Sequence, residues 1–347
     1  MDGKEIEKFE NDDTDIFDYN GFKCKRTGSK GLILIENCSD DKDITIPEGI
    51  SEISYFAFQN SKIRSVKLPD SLLTIGYKAF DQCSELTDVQ FGHGPVDIGE
   101  RAFNKCESLE YVDFENVRTI GLCAFANCTG IRSVKLHDGL IFIGSGAFDG
   151  CVNLKKISLP SSVKKLGRYS LGFANEIHLE KGCIPYNLLV SSCYDGISLS
   201  YTLCIGKSNF IVPKLIKVSA YYKALKFLQD FDTDIDKTIV LYGWANFVED
   251  RQEIALEGYH LDPNPKTRSY LRRYGVSILE NVENEESFIS YFNRFLSDDL
   301  MTRKIAERIL PIVQEKNWTK AAACVLEYLK MYTKNDSKND ENARFRI

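Results

Sequence analysis

The sequence predicts an α+β chain: a repeat solenoid of about six coils, each 22–23 residues long, followed by an antiparallel helical domain. Three observations carry this reading. The pair Ala-Phe recurs at Ala57-Phe58, Ala79-Phe80, Ala102-Phe103, Ala124-Phe125 and Ala147-Phe148. Cysteine follows at Cys83, Cys106, Cys128 and Cys151, three residues after each Phe from the second copy on. Beyond Lys214 the apolar spacing changes from two to three and four residues. Self-similarity at such a period is the signature of a solenoid, whose units each contact only their neighbours.

One coil can be read residue by residue. Ile-Gly stands just ahead of Ala-Phe (Ile75-Gly76, Ile98-Gly99, Ile120-Gly121, Ile143-Gly144). The Gly suits a tight bend that a Cβ would strain. Ala beside Phe lets successive coils approach. After the Cys comes an apolar triplet such as Leu86, Val89, Phe91 or Leu154, Ile157, Leu159, closed in places by proline at Pro69 and Pro160. That period of two, with β-branched residues and a proline stop, is a short strand. Strands stack about 4.8 Å apart, so six coils predict a core roughly 30 Å long. The Cys column then forms an internal ladder of small buried thiols, explained as packing rather than as metal ligands. Ser170-Leu171 occupies the place of a decayed sixth Ala-Phe.

The text IGYKAFDQCSELTDVQF, IGERAFNKCESLEYVDF, IGLCAFANCTGIRSVKL and IGSGAFDGCVNLKKISLP resembles the BspA-type leucine-rich repeats over about residues 44–180. The resemblance implies a leucine-rich repeat solenoid used for protein or surface recognition, with no catalytic residues to carry over. Many members of that family are exported adhesins or surface proteins. The start of this chain is acidic and has no apolar core of a secretory signal, so the expectation is a cytoplasmic protein, with the cell surface as the alternative.

The remaining segments follow in order. Residues 1–20 read as an acidic flexible arm, 21–50 as an N-terminal β cap and first strand, and 51–180 as the repeats. Residues 181–213 read as closing β coils or a bridge, 214–333 as the helical domain, and 334–347 as a polar frayed tail. Within the helical part, Asn284, Thr302 and Thr319 sit where N-caps belong, Asn317 suits a helix stop, and Pro311 should kink or shorten its helix. Residues 300–332 resemble the ankyrin-like helical tails that accompany such repeats in some bacterial proteins.

Charge and motif content narrow the function. Lys+Arg total 44 against 50 Asp+Glu, and residues 1–18 alone hold eight acids and two bases, so the body is neutral and lacks the basic footprint of a nucleic-acid binder. No apolar run approaches the roughly 18 residues that span a bilayer. The chain's 11 Cys form no CxxC pair, and the odd count favours reduced thiols. Gly206-Lys207-Ser208 lacks the upstream Gly of a phosphate loop, since position 201 is Tyr. His93, His137, His178 and His260 are scattered, His93 and His137 in turns of different coils, and the sequons at Asn37, Asn127 and Asn317 are read as coincidental. No cofactor, metal or catalytic set is expected. The chain reads as a non-enzymatic scaffold for a protein partner, with an exported adhesin for host or matrix proteins and an enzyme or small-ligand site at the solenoid–helix junction as the alternatives. Outward positions ahead of the Ile-Gly bend, Leu73 and above all Ile141-Phe142, are apolar where other copies carry charge or hydroxyl groups. On the strand after the Cys, Tyr111 is the aromatic anchor of the outward column that ends at Lys156. These five are the candidate partner-binding residues, and the seam between solenoid and helices is the competing ligand site.

Overall fold

A computed structural model describes residues 16–26, 31–190, 200–231, 233, 235 and 237–344. The chain divides into two compact units, 1–237 and 238–347.

The first unit is the solenoid. One face is a nine-stranded sheet whose parallel part carries Leu34, Ile53, Ile75, Ile98, Ile120, Ile143 and Leu166, all fully or almost fully buried. The other face holds the strands after the Cys positions, paired in parallel from coil to coil: Val66 with Val89, Val112 with Val134, Ile157 with Ile177. The predicted leucine-rich repeat architecture is therefore present, and the coils continue past the copies that the Ala-Phe period marks. Between the faces runs a column of stacked rings, Phe58, Phe80, Phe103, Phe125 and Phe148, with centroids 4.7, 4.9, 4.9 and 5.8 Å apart.

The cysteines do more than fill space. Cys83, Cys106, Cys128 and Cys151 have no exposed surface, and each thiol donates to the backbone carbonyl of the Phe one coil earlier, at 3.0, 3.3, 3.0 and 3.1 Å. A thiol is small enough for this dry column and supplies a donor where a carbonyl would otherwise lie less well satisfied. Burial pushes the Cys83 thiol up to about 12 and raises Cys128 and Cys151 well above the ordinary value.

The repeated glycine has a different cause from the one expected. None of Gly76, Gly99, Gly121 and Gly144 has a positive φ; a Cβ on Gly121 would instead lie 2.7 Å from the Ile98 carbonyl oxygen of the coil below. Glycine is needed there because two backbones touch. The left-handed positions lie elsewhere in the coil and are filled by ordinary residues, Phe56, Lys78, Arg101 and Cys123 among them. Their amides reach the next coil, Lys78 N to Glu100 O at 3.0 Å and Arg101 N to Leu122 O at 2.9 Å.

Both ends of the solenoid are closed by antiparallel hairpins. The acidic arm ends sooner than expected, because Ile16–Tyr19 pairs with Phe22–Arg26 across a two-residue Asn20-Gly21 turn with φ of 51° and 87°. Asn-Gly is the sequence such a turn demands. Residues 1–15 of that arm lie outside the described residues. Phe22 then sets its ring 6.3 Å from that of Phe58, covering the end of the aromatic column. At the far end Ser200–Ile205 runs parallel to Glu176–Leu179 and turns back into Ser208–Pro213. Gly206-Lys207 is the turn of that hairpin, so Gly-Lys-Ser joins two sheet strands and does not open a helix. Helix α1, Tyr221–Asp230, belongs to this first unit although the helical pattern begins near Lys214.

The second unit contains α2 (Val248–Gly258), α3 (Pro265–Glu280), α4 (Glu285–Ser297), α5 (Arg303–Glu315) and α6 (Thr319–Arg344). Its core gathers Leu271 and Leu279 with Phe288, Phe292, Phe295, Ile305, Ile309 and Val325. Asn284 and Thr302 cap their helices as expected, accepting from Ser287 N and Ile305 N. The third expected cap is replaced: the Glu285 carboxylate of α4 accepts from Lys320 N and Ala321 N at 2.7 and 3.1 Å and so meets the first amides of α6. Pro311 does not end α5, which continues to Glu315. Pro311 is exposed, so the Glu307 carbonyl that it leaves without an amide faces solvent. The tail expected to fray is helical through Arg344. No helix among the described residues is long and apolar enough to cross a membrane.

The close approach at the glycine column makes a direct prediction. Gly121→Ala should lower the stability of the solenoid by about 1–3 kcal/mol, as overpacking does. Gly243→Ala, whose added Cβ meets nothing within 4 Å, should leave the urea midpoint of its unit unchanged.

Candidate functional site

Because side chains alternate along a strand, each face of the solenoid presents outward columns that stack across coils. On the nine-stranded face one column reads Thr74, Asp97, Thr119, Phe142 and Lys165, set by parallel pairing. Asp97 pairs with the Arg118 guanidinium and accepts from Thr119 Oγ1 at 2.7 Å. The Arg118 hydrogen bond holds the Asp97 carboxyl below the usual carboxylate range. Ile141 is 45% exposed beside the half-buried Phe142, whose ring lies 5.8 Å from the Lys165 ammonium. Leu73 is 48% exposed on the same face but three coils away, about 14 Å at the usual strand spacing.

Tyr111 and Lys156 stand on the other face, in one column separated by a coil that carries Ser133. Tyr111 is 48% exposed and its hydroxyl donates to Asp113 Oδ2 at 3.3 Å. Asp113 also pairs with Lys135 at 3.1 Å and with His137 Nε2. Lys156 Nζ lies 2.7 Å from Glu176 Oε1, which His178 Nε2 also contacts. The five candidate residues therefore divide between two faces. Only Ile141 and Phe142 are neighbours.

A BspA type leucine-rich repeat region, in six copies, matches residues 35–117 and 96–210. The chain belongs to the BspA-type leucine-rich repeat family. No curated protein matches the chain. Among solved structures it is similar to a leucine-rich repeat protein of T. pallidum, at 24% identity over 51% of this chain and 89% of that one, with a TM-score of 0.41. The pneumococcal vaccine antigen PcpA matches at 23% identity over 48% of this chain and 49% of its own, with a TM-score of 0.39. A leucine rich cell surface protein of Faecalibacterium prausnitzii matches at 20% identity over 58% and 62%, with a TM-score of 0.37.

The BspA-type coils bring together two groups that the sequence reading did not single out. The first is an exposed aromatic cluster at the N-terminal coils. Tyr55, 67% exposed, meets Phe56 edge-on at 5.8 Å, and Phe56 meets Tyr77 at 5.4 Å. Lys78 Nζ lies 5.8 Å from the Phe56 ring and 5.4 Å from the Tyr77 ring. Phe56 takes a left-handed φ of 61°, rare for an aromatic residue, and its amide is held by the Tyr77 carbonyl at 3.1 Å. Read down the repeat, the position of Tyr55 becomes Tyr77, Glu100, Leu122 and Ser145, so comparing that variable column would have exposed the cluster.

The second group is Glu176, His178 and Cys204, one ligand atom from each lying within 4.8 Å of the others, all partly buried. Hydrogen bonds from Lys156 and then His178 hold the Glu176 carboxyl below its ordinary range. Burial, with the Glu176 charge adding to it, raises the Cys204 thiol. His178 also lines a shallow depression of about 440 Å³ with His137, Ser158 and Pro160. His93, by contrast, is highly exposed against Asp70 at 2.9 Å.

Burial separates surface from core within three residues. Ile141→Asp should change stability by less than about 0.5 kcal/mol, whereas Ile143→Ala, at a fully buried position two residues on, should cost about 2–5 kcal/mol in chemical denaturation.

Proposed function

We propose that the protein is a non-enzymatic recognition scaffold that binds a protein partner through outward side chains of its solenoid. The observation that carries the reading is the contact cluster of Tyr55, Phe56 and Tyr77, three exposed rings with a lysine beside them on stacked, fully packed coils. Aromatic groups held rigid before binding lose little entropy on association and dominate interface energetics. Exposing three of them together costs solvation, and a patch of that kind supports a surface used for contact.

Leu73 lies on the same coil as Tyr77 and extends this surface. Ile141 and Phe142 supply a second apolar contact further along, and Tyr111 and Lys156 a polar one on the other face. We infer a similar binding role for the C-terminal helices, in keeping with the ankyrin-like pattern of residues 300–332. The partly exposed thiols Cys123 and Cys183 and the exposed Cys38 suit a reducing compartment, so we place the protein in the cytoplasm. Display at the cell surface is the alternative, and fractionation of washed cells separates the two.

The reading is tested by capture of partners from lysate of the source organism. The intact chain, a Tyr55→Ser/Tyr77→Ser variant and an Ile141→Asp/Phe142→Asp variant are used side by side, each with an unchanged thermal midpoint as the condition of use. A protein retained by the intact chain should be lost by at least tenfold with the tyrosine variant. Equal retention by all three forms, or none by any, contradicts the proposal.

A further inference from the structure

We propose that Glu176, His178 and Cys204 form a binding site for a divalent metal ion of the zinc class. Glu176 and His178 are two apart on the strand Glu176–Leu179, so the pleat turns both to one side. The next strand is parallel and in register, placing Cys204 directly beside His178. Carboxylate oxygen, imidazole nitrogen and thiol sulfur thus converge within 4.8 Å on two hydrogen-bonded strands of a rigid sheet. Zinc takes these three donors at about 2.0–2.3 Å, which sets them roughly 3.3–3.7 Å apart around a tetrahedral ion. Glu176 and His178, in direct contact here, therefore part to admit the ion.

The donor set also selects the ion. Sulfur and imidazole favour zinc, cobalt and related metals over magnesium or calcium, which prefer oxygen alone. Three protein ligands leave a fourth tetrahedral position for water or a bound group, and His178 lines the adjoining depression. On binding, the Cys204 thiol loses its proton to solvent and the sulfur–metal bond takes its place; the imidazole binds in its neutral form, exchanging its contact with Glu176 for the metal. No electron is transferred. Lys156, at 2.7 Å from Glu176 Oε1, remains as a neighbour of the bound carboxylate, and its charge opposes that of the ion. Replacing it with Met should tighten binding.

Cobalt reports the site directly, because a thiolate bound to tetrahedral cobalt absorbs in the near ultraviolet and its d–d bands are intense. The reduced full-length chain is titrated with cobalt, and zinc is counted by equilibrium dialysis. The expected result is one ion per chain with the sulfur band, absent in Cys204→Ser and at least about tenfold weaker binding in His178→Ala. A Cys38→Ser/Cys123→Ser variant, which removes two of the other accessible thiols, should retain both. Absence of the band in the intact chain overturns the proposal, as does a band that survives Cys204→Ser or is lost only in the control variant. Should Cys204→Ser fail to fold by circular dichroism, Glu176→Gln and His178→Ala decide, and unchanged affinity in both overturns it.

Discussion

The constraint on which the solenoid depends is the distance between successive coils. A strand ladder sets that distance near 4.8 Å, and every inward column must then repeat at it. Phenylalanine rings meet the requirement by stacking face to face at 4.7–5.8 Å. Glycine meets it where backbone passes over backbone, as at Gly121 above Ile98. Cysteine meets it by being small and by spanning the coils with a thiol bond to the preceding Phe carbonyl. The three columns are one solution to one geometric problem, which is why they share a period.

What the columns leave free is equally defined. Each coil contributes outward positions whose side chains carry no packing duty, and there the copies diverge. On the sheet faces they are filled largely by ion pairs such as Asp97–Arg118 and Asp113–Lys135, whose exposure makes them small contributors to stability. At the first bends they become Tyr55, Phe56 and Tyr77, and on the closing strands Glu176, His178 and Cys204. A rigid interior with variable outward positions lets recognition or metal binding be placed on it without disturbing the fold. Fold and function are for this reason separable in the chain.

The architecture was legible because repetition amplifies weak signals: five Ala-Phe pairs and four Cys at one period need no further support. Individual causes were less legible. The Gly column was visible, but its reason is contact with another coil, which a single copy does not contain. Glu285 as the cap of α6 was hidden because the capping group comes from a different helix, 35 residues away. Of the candidate partner residues, Tyr111 is exposed as alternation requires. Leu73 and Ile141 are exposed although they stand two residues before the buried Ile75 and Ile143, because the strands begin only at Thr74 and Phe142, and Phe142 is half-buried. Tyr55, Phe56 and Tyr77 were overlooked because they fall in the variable gap between conserved-looking letters of the repeat. Cys204 was overlooked because it lies 26 residues after His178, off the 22–23-residue period, with the connection between the strands absorbing the difference.

The central claim is that the stacked coils form a rigid body on which surface groups are mounted, and amide hydrogen exchange tests it most directly. The amides of Phe80, Phe103 and Phe125 bond to carbonyls of the next coil at 2.7–2.8 Å within the buried column. The account predicts that these amides are among the slowest to exchange in the chain and that they exchange together, through global opening of the solenoid. Exchange of the central coils at rates close to those of exposed turns would contradict it.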